Sequence, residues 1–135
     1  MAKFPTDEWM EAIADKLNSD EQYARIAHKW EGDLFVLVEP GDTLLEPKLA
    51  YLDLWHGKCR SASFLPVDAD PPKAVVSLIL PYANAKRLLG GELDVMQALL
   101  TRKIGVKGNM AILMRNVPTV LDFVRCAREI TDSFV

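Results

Sequence analysis

The chain has two histidines, His28 and His56, and two cysteines, Cys59 and Cys126, the residue types most often used as bases, nucleophiles and soft metal ligands. Such residues could supply a general base, a nucleophile or soft metal ligands. Their arrangement supports none of these. A metal site needs more ligands than they offer at any familiar spacing. His28 lies in an amphipathic stretch and His56 in a turn, so both read as surface residues. Cys59 follows that turn and reads as exposed. Cys126 flanks an apolar stripe and reads as a buried, inert thiol. The carboxylates are numerous but not grouped. Asp53 is the odd one, because it interrupts the apolar run Leu49–Trp55. It reads as a solvent-face residue, with a polar group in a cavity as the alternative. The chain has no Walker loop, no Rossmann glycine fingerprint and no Gly-x-Ser-x-Gly elbow. Gly105-Val106-Lys107-Gly108 fits the Gly-x-x-Gly loop of a KH module, but that loop joins two helices, and here it falls inside an alternating stretch. With no visible acid–base or nucleophile constellation, the chain is expected not to be an enzyme, and no catalytic or metal-binding residue is assigned.

Composition narrows the remaining classes. The chain has 135 residues, 50% of them apolar and 26% charged, which predicts one domain over 1–135 with a core of its own. A net charge of −3 argues against a general nucleic-acid binder. No apolar run reaches the length of a membrane span, the first residues lack a signal-peptide core, and Ser133-Phe134-Val135 is no peroxisomal address. With two distant cysteines, the expected setting is cytoplasmic and reduced. Charge is unevenly spread. Residues 1–70 hold 14 acidic and 7 basic side chains, whereas residues 81–115 carry a net charge of +4. The basic segment could meet an anionic head group or a membrane surface, or be an ordinary solvated face.

The elements that must position any site follow from periodicity. Residues 7–17 predict a helix capped by Thr6, with Trp9, Ile13 and Leu17 on one face. Ser19 and Gln22 form a capping-box pattern for a second helix, whose stripe is Tyr23, Ile26, Ala27 and Trp30. Leu34–Val38 is a continuous apolar run that predicts a central strand. Residues 48–55 and 59–65 predict a hairpin around His56-Gly57-Lys58. Ala74–Leu80 predicts another buried strand. Pro81 starts a helix ending at Gly90-Gly91, and Asp94 with Gln97 starts the next. Ile104–Met114 alternates and predicts a half-buried strand, with Gly108 as a bulge. Asn116 is expected to cap a last helix carrying Val120, Phe123, Val124, Ala127, Ile130 and Phe134. About five helices and five strands make an α+β fold in which helices cover one face of a single sheet.

Within this frame, Gly91-Glu92-Leu93-Asp94, then Ala98, then Lys103-Ile104-Gly105-Val106-Lys107-Gly108-Asn109 resemble the sterol carrier protein 2 family. That family shows Gly-x-Leu-Asp, an Ala in a short helix, and Gly-Lys-Leu-x-Val-x-Gly-Asp/Asn. The motif agreement covers about 89–114, and the order of elements agrees over roughly 5–130. Three positions depart from the pattern. Arg102 replaces a Gly, Gly105 replaces a polar residue, and Leu80-Pro81-Tyr82 replaces a polar helix start. They bear on ligand preference more than on the fold.

The resemblance implies a five-stranded mixed sheet with helices on one face and an apolar tunnel between the layers. It implies non-catalytic binding and transfer of a hydrophobic lipid, such as a fatty acid, fatty acyl-CoA, a sterol-like lipid or a quinone lipid, with no metal and no organic cofactor. The tunnel would be lined by Val106, Met110, Ile112 and Met114 of the alternating stretch and by Leu88, Leu89, Leu93, Met96, Leu99 and Leu100 of the short helices. Val120, Phe123, Val124 and Ala127 would add the last helix, and Phe35 and Leu37 the floor. Lys86, Arg87, Arg102 and Lys103 would hold a charged head group. Trp9, Tyr23 and Trp30 would pack the first helices onto the fold. Met96, Met110 and Met114 suit an adaptable wall or a plain core. On this reading Met110→Arg should abolish uptake. The alternative is an accessory or dimerisation module supporting a lipid-modifying enzyme, and an apolar strand edge could support a homodimer.

Overall fold

In the computed structural model, which describes residues 2–135, the chain runs β1 (Ala2–Phe4), α1 (Asp7–Ser19), α2 (Glu21–Ile26), β2 (Glu31–Glu39), β3 (Lys48–Trp55), β4 (Lys58–Leu65), β5 (Val76–Pro81), α3 (Tyr82–Leu89), α4 (Val95–Leu100), β6 (Gly105–Gly108), α5 (Met110–Arg115), α6 (Val117–Ile130) and β7 (Thr131–Phe134). Thr6 caps α1 by accepting the Trp9 N–H, and Asp94 caps α4 by accepting that of Gln97. Helix α2 is capped by Asp20, one residue later than the Ser19–Gln22 pattern indicates. Ser19 Oγ is engaged elsewhere, donating to the Asp15 carbonyl one turn back.

A mixed sheet in the order β4-β3-β2-β5-β6 carries the site. Its central strand, β2, is antiparallel to β3 and parallel to β5. The β3–β4 hairpin turns through His56 and Gly57, with φ of 51° and 78°, the left-handed geometry of a tight two-residue turn. This turn sits against α2, and a Cβ on Gly57 would lie 2.9 Å from the Ala24 carbonyl oxygen. Gly57→Ala should therefore lower stability by about 2 kcal/mol, the sum of left-handed strain and a displaced helix. A urea midpoint equal to that of the parent protein would refute this.

The stretch Ile104–Met114 does not stay extended. Strand β6 stops at Gly108, whose φ is 101° and where a Cβ would fall 2.7 Å from the Val75 carbonyl oxygen. Asn109 then caps α5 by accepting the Ile112 N–H. Met-Ala-Ile-Leu-Met-Arg are good helix formers, and so short an apolar run satisfies both periods. Asn116 does not cap α6; its amide donates to the Ile112 carbonyl and closes α5. Helix α6 ends at Ile130, and β7 pairs in parallel with β1, so Phe134 belongs to a strand rather than to the helical stripe. The result is six helices, and a two-stranded sheet joins the described ends of the chain.

One face of the large sheet carries the helices. On the other, Asp53 forms a two-pronged ion pair with Arg60 at 2.9 and 3.1 Å, the solvent-face role expected of it. Tyr51 donates to Asp33 at 2.7 Å on the same face. Among the described residues, no helix is long and apolar enough to cross a membrane.

Candidate functional site

Between sheet and helices lies an apolar cavity of about 160 Å³. Its floor is the inward face of three neighbouring strands: Leu34 and Val36 of β2, Ala50, Leu52 and Leu54 of β3, and Val76, Leu78 and Leu80 of β5. Register places Leu34 opposite Leu52 and Val76, and Val36 opposite Ala50 and Leu78, so alternate positions on each strand converge on one face. Phe64 of β4 extends that floor toward the sheet edge. The roof is helical. It takes Ala85, Leu88 and Leu89 from α3, Val95 and Leu99 from α4, Leu113 from α5, and Thr119, Val120, Phe123, Val124 and Ala127 from α6, at three- and four-residue spacings.

Phe4, Trp9, Met10, Tyr23 and Trp30 complete the lining. The indole N–H of Trp9 donates to Thr131 Oγ1 at 2.7 Å and that of Trp30 to the Gly32 carbonyl at 2.8 Å. With these donors satisfied, the rings can face the void as hydrocarbon. Burial pushes the Tyr23 phenol above its ordinary range, which keeps it neutral. No carboxylate, imidazole, amine or thiol is among the lining side chains. A dry apolar void of about 150 Å³ accommodates a benzene-sized guest. This chamber therefore acts as a small volume of oil and is suited to hydrocarbon.

Of the residues expected to line a tunnel, Leu88, Leu89, Leu99, Val120, Phe123, Val124 and Ala127 come together at the cavity. Phe35 and Leu37 do not. They hold the odd positions of β2 and face away, and Phe35 is buried on the far side of the sheet. Both parities of that strand are apolar, so alternation could not choose between them. Leu93 is buried outside the lining, Met96, Val106 and Ile112 are half-buried outside it, and Leu100, Met110 and Met114 are exposed. In α5 the helical period turns Leu113 inward and sends Met110 and Met114, one turn apart, to solvent. Met110→Arg thus alters a surface residue rather than the cavity.

The four expected head-group cations differ in their surroundings. Lys86 pairs with Asp42 and lies 4.8 Å over the Tyr82 ring, and the Asp42 hydrogen bond raises its ammonium pKa. Arg87, Arg102 and Lys103 are exposed, with no ion pair among the described residues. Sequence reasoning passed over Arg128, which bridges the carbonyls of Leu88 at 2.8 Å and Leu93 at 3.0 Å and so locks the end of α3 beneath α6. It also assigned Trp9, Tyr23 and Trp30 to packing alone. The inward strand residues needed the register, which one sequence does not show.

Cys59 is buried, contrary to its expected exposure. Asn18 clamps its backbone with two hydrogen bonds of 2.9 Å and draws the start of β4 under α1. Burial pushes the thiols of Cys59 and Cys126 up to about 11, so both are protonated at neutral pH. Asp20, Asp122 and Cys126 lie close together, but Arg125 already pairs with both carboxylates there.

The sequence profile described as the SCP-2 sterol transfer family matches residues 10–120. Among solved structures, the chain is similar to a crystal structure of sterol carrier protein 2, with 30% identity, a TM-score of 0.86, and coverage of 96% of this chain and 100% of that one. It is equally similar in sequence, at 30%, to a conserved hypothetical protein of Thermus thermophilus, with a TM-score of 0.83 and coverage of 95% and 90%. A palmitated SCP2L2 from Aedes aegypti shares the fold at 20% identity, with a TM-score of 0.58 and coverage of 86% and 93%. No curated protein matches this chain.

Proposed function

The chain belongs to the SCP-2 sterol transfer family, and from that membership we propose that it binds a single-chain fatty acyl lipid in the cavity and delivers it without chemical change. The observation that carries this reading is the wholly apolar lining. Each methylene moved from water into such a chamber contributes about 0.8 kcal/mol, so a long chain needs no polar anchor to be held. Uptake and release are equilibria and call for no catalytic group.

The size of the void favours a flexible chain over a rigid ring system. Ligand sites for drug-sized molecules occupy about 300–1,000 Å³, more than the 160 Å³ here. An acyl chain can thread between side chains that turn aside one at a time, whereas a fused ring must displace them together. Leu88, Leu89, Val120 and Phe123 are half-buried and form the part of the wall best able to yield. The palmitated Aedes aegypti neighbour is a precedent of the same kind. Arg87, beside Leu88 and Leu89, with Arg102 and Lys103 beyond Leu99, is positioned in sequence to meet a carboxylate or phosphate head. Lys86 already pairs with Asp42.

Native mass spectrometry of gently purified protein, followed by organic extraction, tests this directly. The expected result is one adduct of fatty-acid mass per chain, or its appearance on adding palmitate or palmitoyl-CoA. A protein that stays at its bare mass with both would overturn the proposal.

A further inference from the structure

We propose that Lys48 holds the carboxylate of the bound lipid, so that the ligand is a free fatty acid with its head at the start of β3. This rests on the acyl-carrier reading and adds to it the place and the charge of the head group.

Register puts Lys48 on the cavity face. Side chains alternate along a strand, so Lys48, Ala50, Leu52 and Leu54 of β3 share one side, and the last three line the cavity. Lys48 stands opposite Val38 of β2. Ala50 stands opposite Val36 and Phe64, which also line the void. The apolar floor therefore ends on a cation. The row from Lys48 to Leu54 spans about 20 Å, room for a long acyl chain lying extended along the sheet.

The ammonium also touches the wall of the chamber. Its Nζ lies 5.1 Å from the centroid of the Phe64 ring. Two other cations lie over rings, Arg60 over Trp55 and Lys86 over Tyr82, but neither ring lines the cavity. Those two cations are already paired, with Asp53 and Asp42. Lys48 forms no ion pair among the described residues. Lys48 and Phe64 are both half-buried, whereas Arg87, Arg102 and Lys103 are exposed. A partly desolvated ammonium gains more from an anion than one surrounded by water.

The surroundings select the head. Lys48 borders a surface depression whose wall includes Asp7 and Glu46. One ammonium near two carboxylates can take up a single negative charge. A head carrying several phosphates would bring more charge than Lys48 balances and set it against Asp7 and Glu46. The geometry thus suits a carboxylic acid better than its thioester with a nucleotide carrier.

Titration of the full chain with palmitate, hexadecanol and palmitoyl-CoA, read by displacement of a fluorescent probe, tests the assignment. The parent should bind palmitate about tenfold more tightly than hexadecanol, and more tightly than palmitoyl-CoA. Lys48→Met, which keeps an apolar stem over Phe64, should lose that tenfold for palmitate and bind hexadecanol as the parent does. Lys48→Arg keeps the charge and should keep the affinity. Lys73→Met, which removes a charge between β4 and β5, should change nothing. A Lys48→Met protein that binds palmitate as tightly as the parent, or that loses palmitate and hexadecanol alike, would overturn the proposal. So would a parent that prefers palmitoyl-CoA. Each of these outcomes leaves the acyl-carrier reading standing. A parent that takes up none of the three ligands would refute that reading and the assignment of Lys48 with it.

Discussion

Val120→Trp should weaken binding of a fluorescent fatty-acyl probe about a hundredfold while leaving the protein folded. Val120 lies on α6, lines the cavity and is half-buried. An indole placed there can swing into the void without displacing a fully buried neighbour. If it excludes about four methylenes of the guest, at about 0.8 kcal/mol each, the loss is about 3 kcal/mol, or roughly a hundredfold. Leu45→Trp serves as the control, because Leu45 is 88% exposed and lies outside the lining. Circular dichroism shows whether both variants keep their helices, and probe titration gives the affinities. Unchanged affinity in a folded Val120→Trp protein would place the lipid outside this cavity.

Arg125→Ala should cost about 2–3 kcal/mol of folding stability, the largest single loss expected from a partly exposed residue here. Its guanidinium holds Asp122 through two nitrogens at 2.8 and 3.1 Å, Asp20 at 2.6 Å and Glu129 at 2.6 Å. Lys16 joins from α1, reaching Glu129 at 3.0 Å and Asp20 at 3.1 Å. Asp122 is only 5% exposed, and without Arg125 its carboxylate keeps one side-chain donor, Gln22, at 2.7 Å. Removing one partner of a fully buried pair costs about 3–5 kcal/mol, and the partial exposure of Arg125 reduces that. Arg125→Lys should fall between the two, because an ammonium keeps the charge but not the two-pronged geometry. Urea unfolding measures all three proteins, and a loss under about 1 kcal/mol in the alanine variant would contradict this account.

The same network sets the acid limb of stability. The Arg125 hydrogen bond, with the Tyr23 N–H and Lys16, holds the Asp20 carboxyl well below its usual range. Lys16 and then Arg125 hold that of Glu129 low. Carboxyls depressed in the folded state bind fewer protons there than in the unfolded chain. Their stabilisation is therefore complete above their ordinary pKa of about 4 and drains away as pH falls below it. The gap between parent and Arg125→Ala should narrow over that acid range. A gap constant from neutrality to about pH 3 would show that packing, not charge, accounts for the loss.

Several of these features were legible in the chain. The caps at Thr6 and Asp94, the hairpin at His56-Gly57 and the helix stop at Gly90-Gly91 depend on residues a few positions apart, and the structure has each of them. The motif from Gly91 to Asn109 carried the family. What could not be read had a different physical basis. In β2 every residue from Leu34 to Val38 is apolar, so no local pattern says which parity faces the helices. The pairing of Leu34 with Leu52 and Val76 decides it. In Met110–Arg115 two periods fit, and the left-handed Gly108 under the Val75 carbonyl ended the strand. The pairing of Ala2–Phe4 with Thr131–Phe134 joins opposite ends of the sequence.

By itself, then, the sequence determined the α+β class, the order of most elements, the family and the lipid-directed chemistry that family implies. Caps, turns and amphipathic periods are short-range interactions, and their partners are neighbours in the chain. The tertiary structure alone decided which apolar side chains enclose the cavity, that Leu113 rather than Met110 or Met114 covers it, and that Arg125 ties three helices together. Those outcomes depend on strand register and on packing between elements far apart in sequence, where one apolar residue substitutes for another until the whole fold is in place.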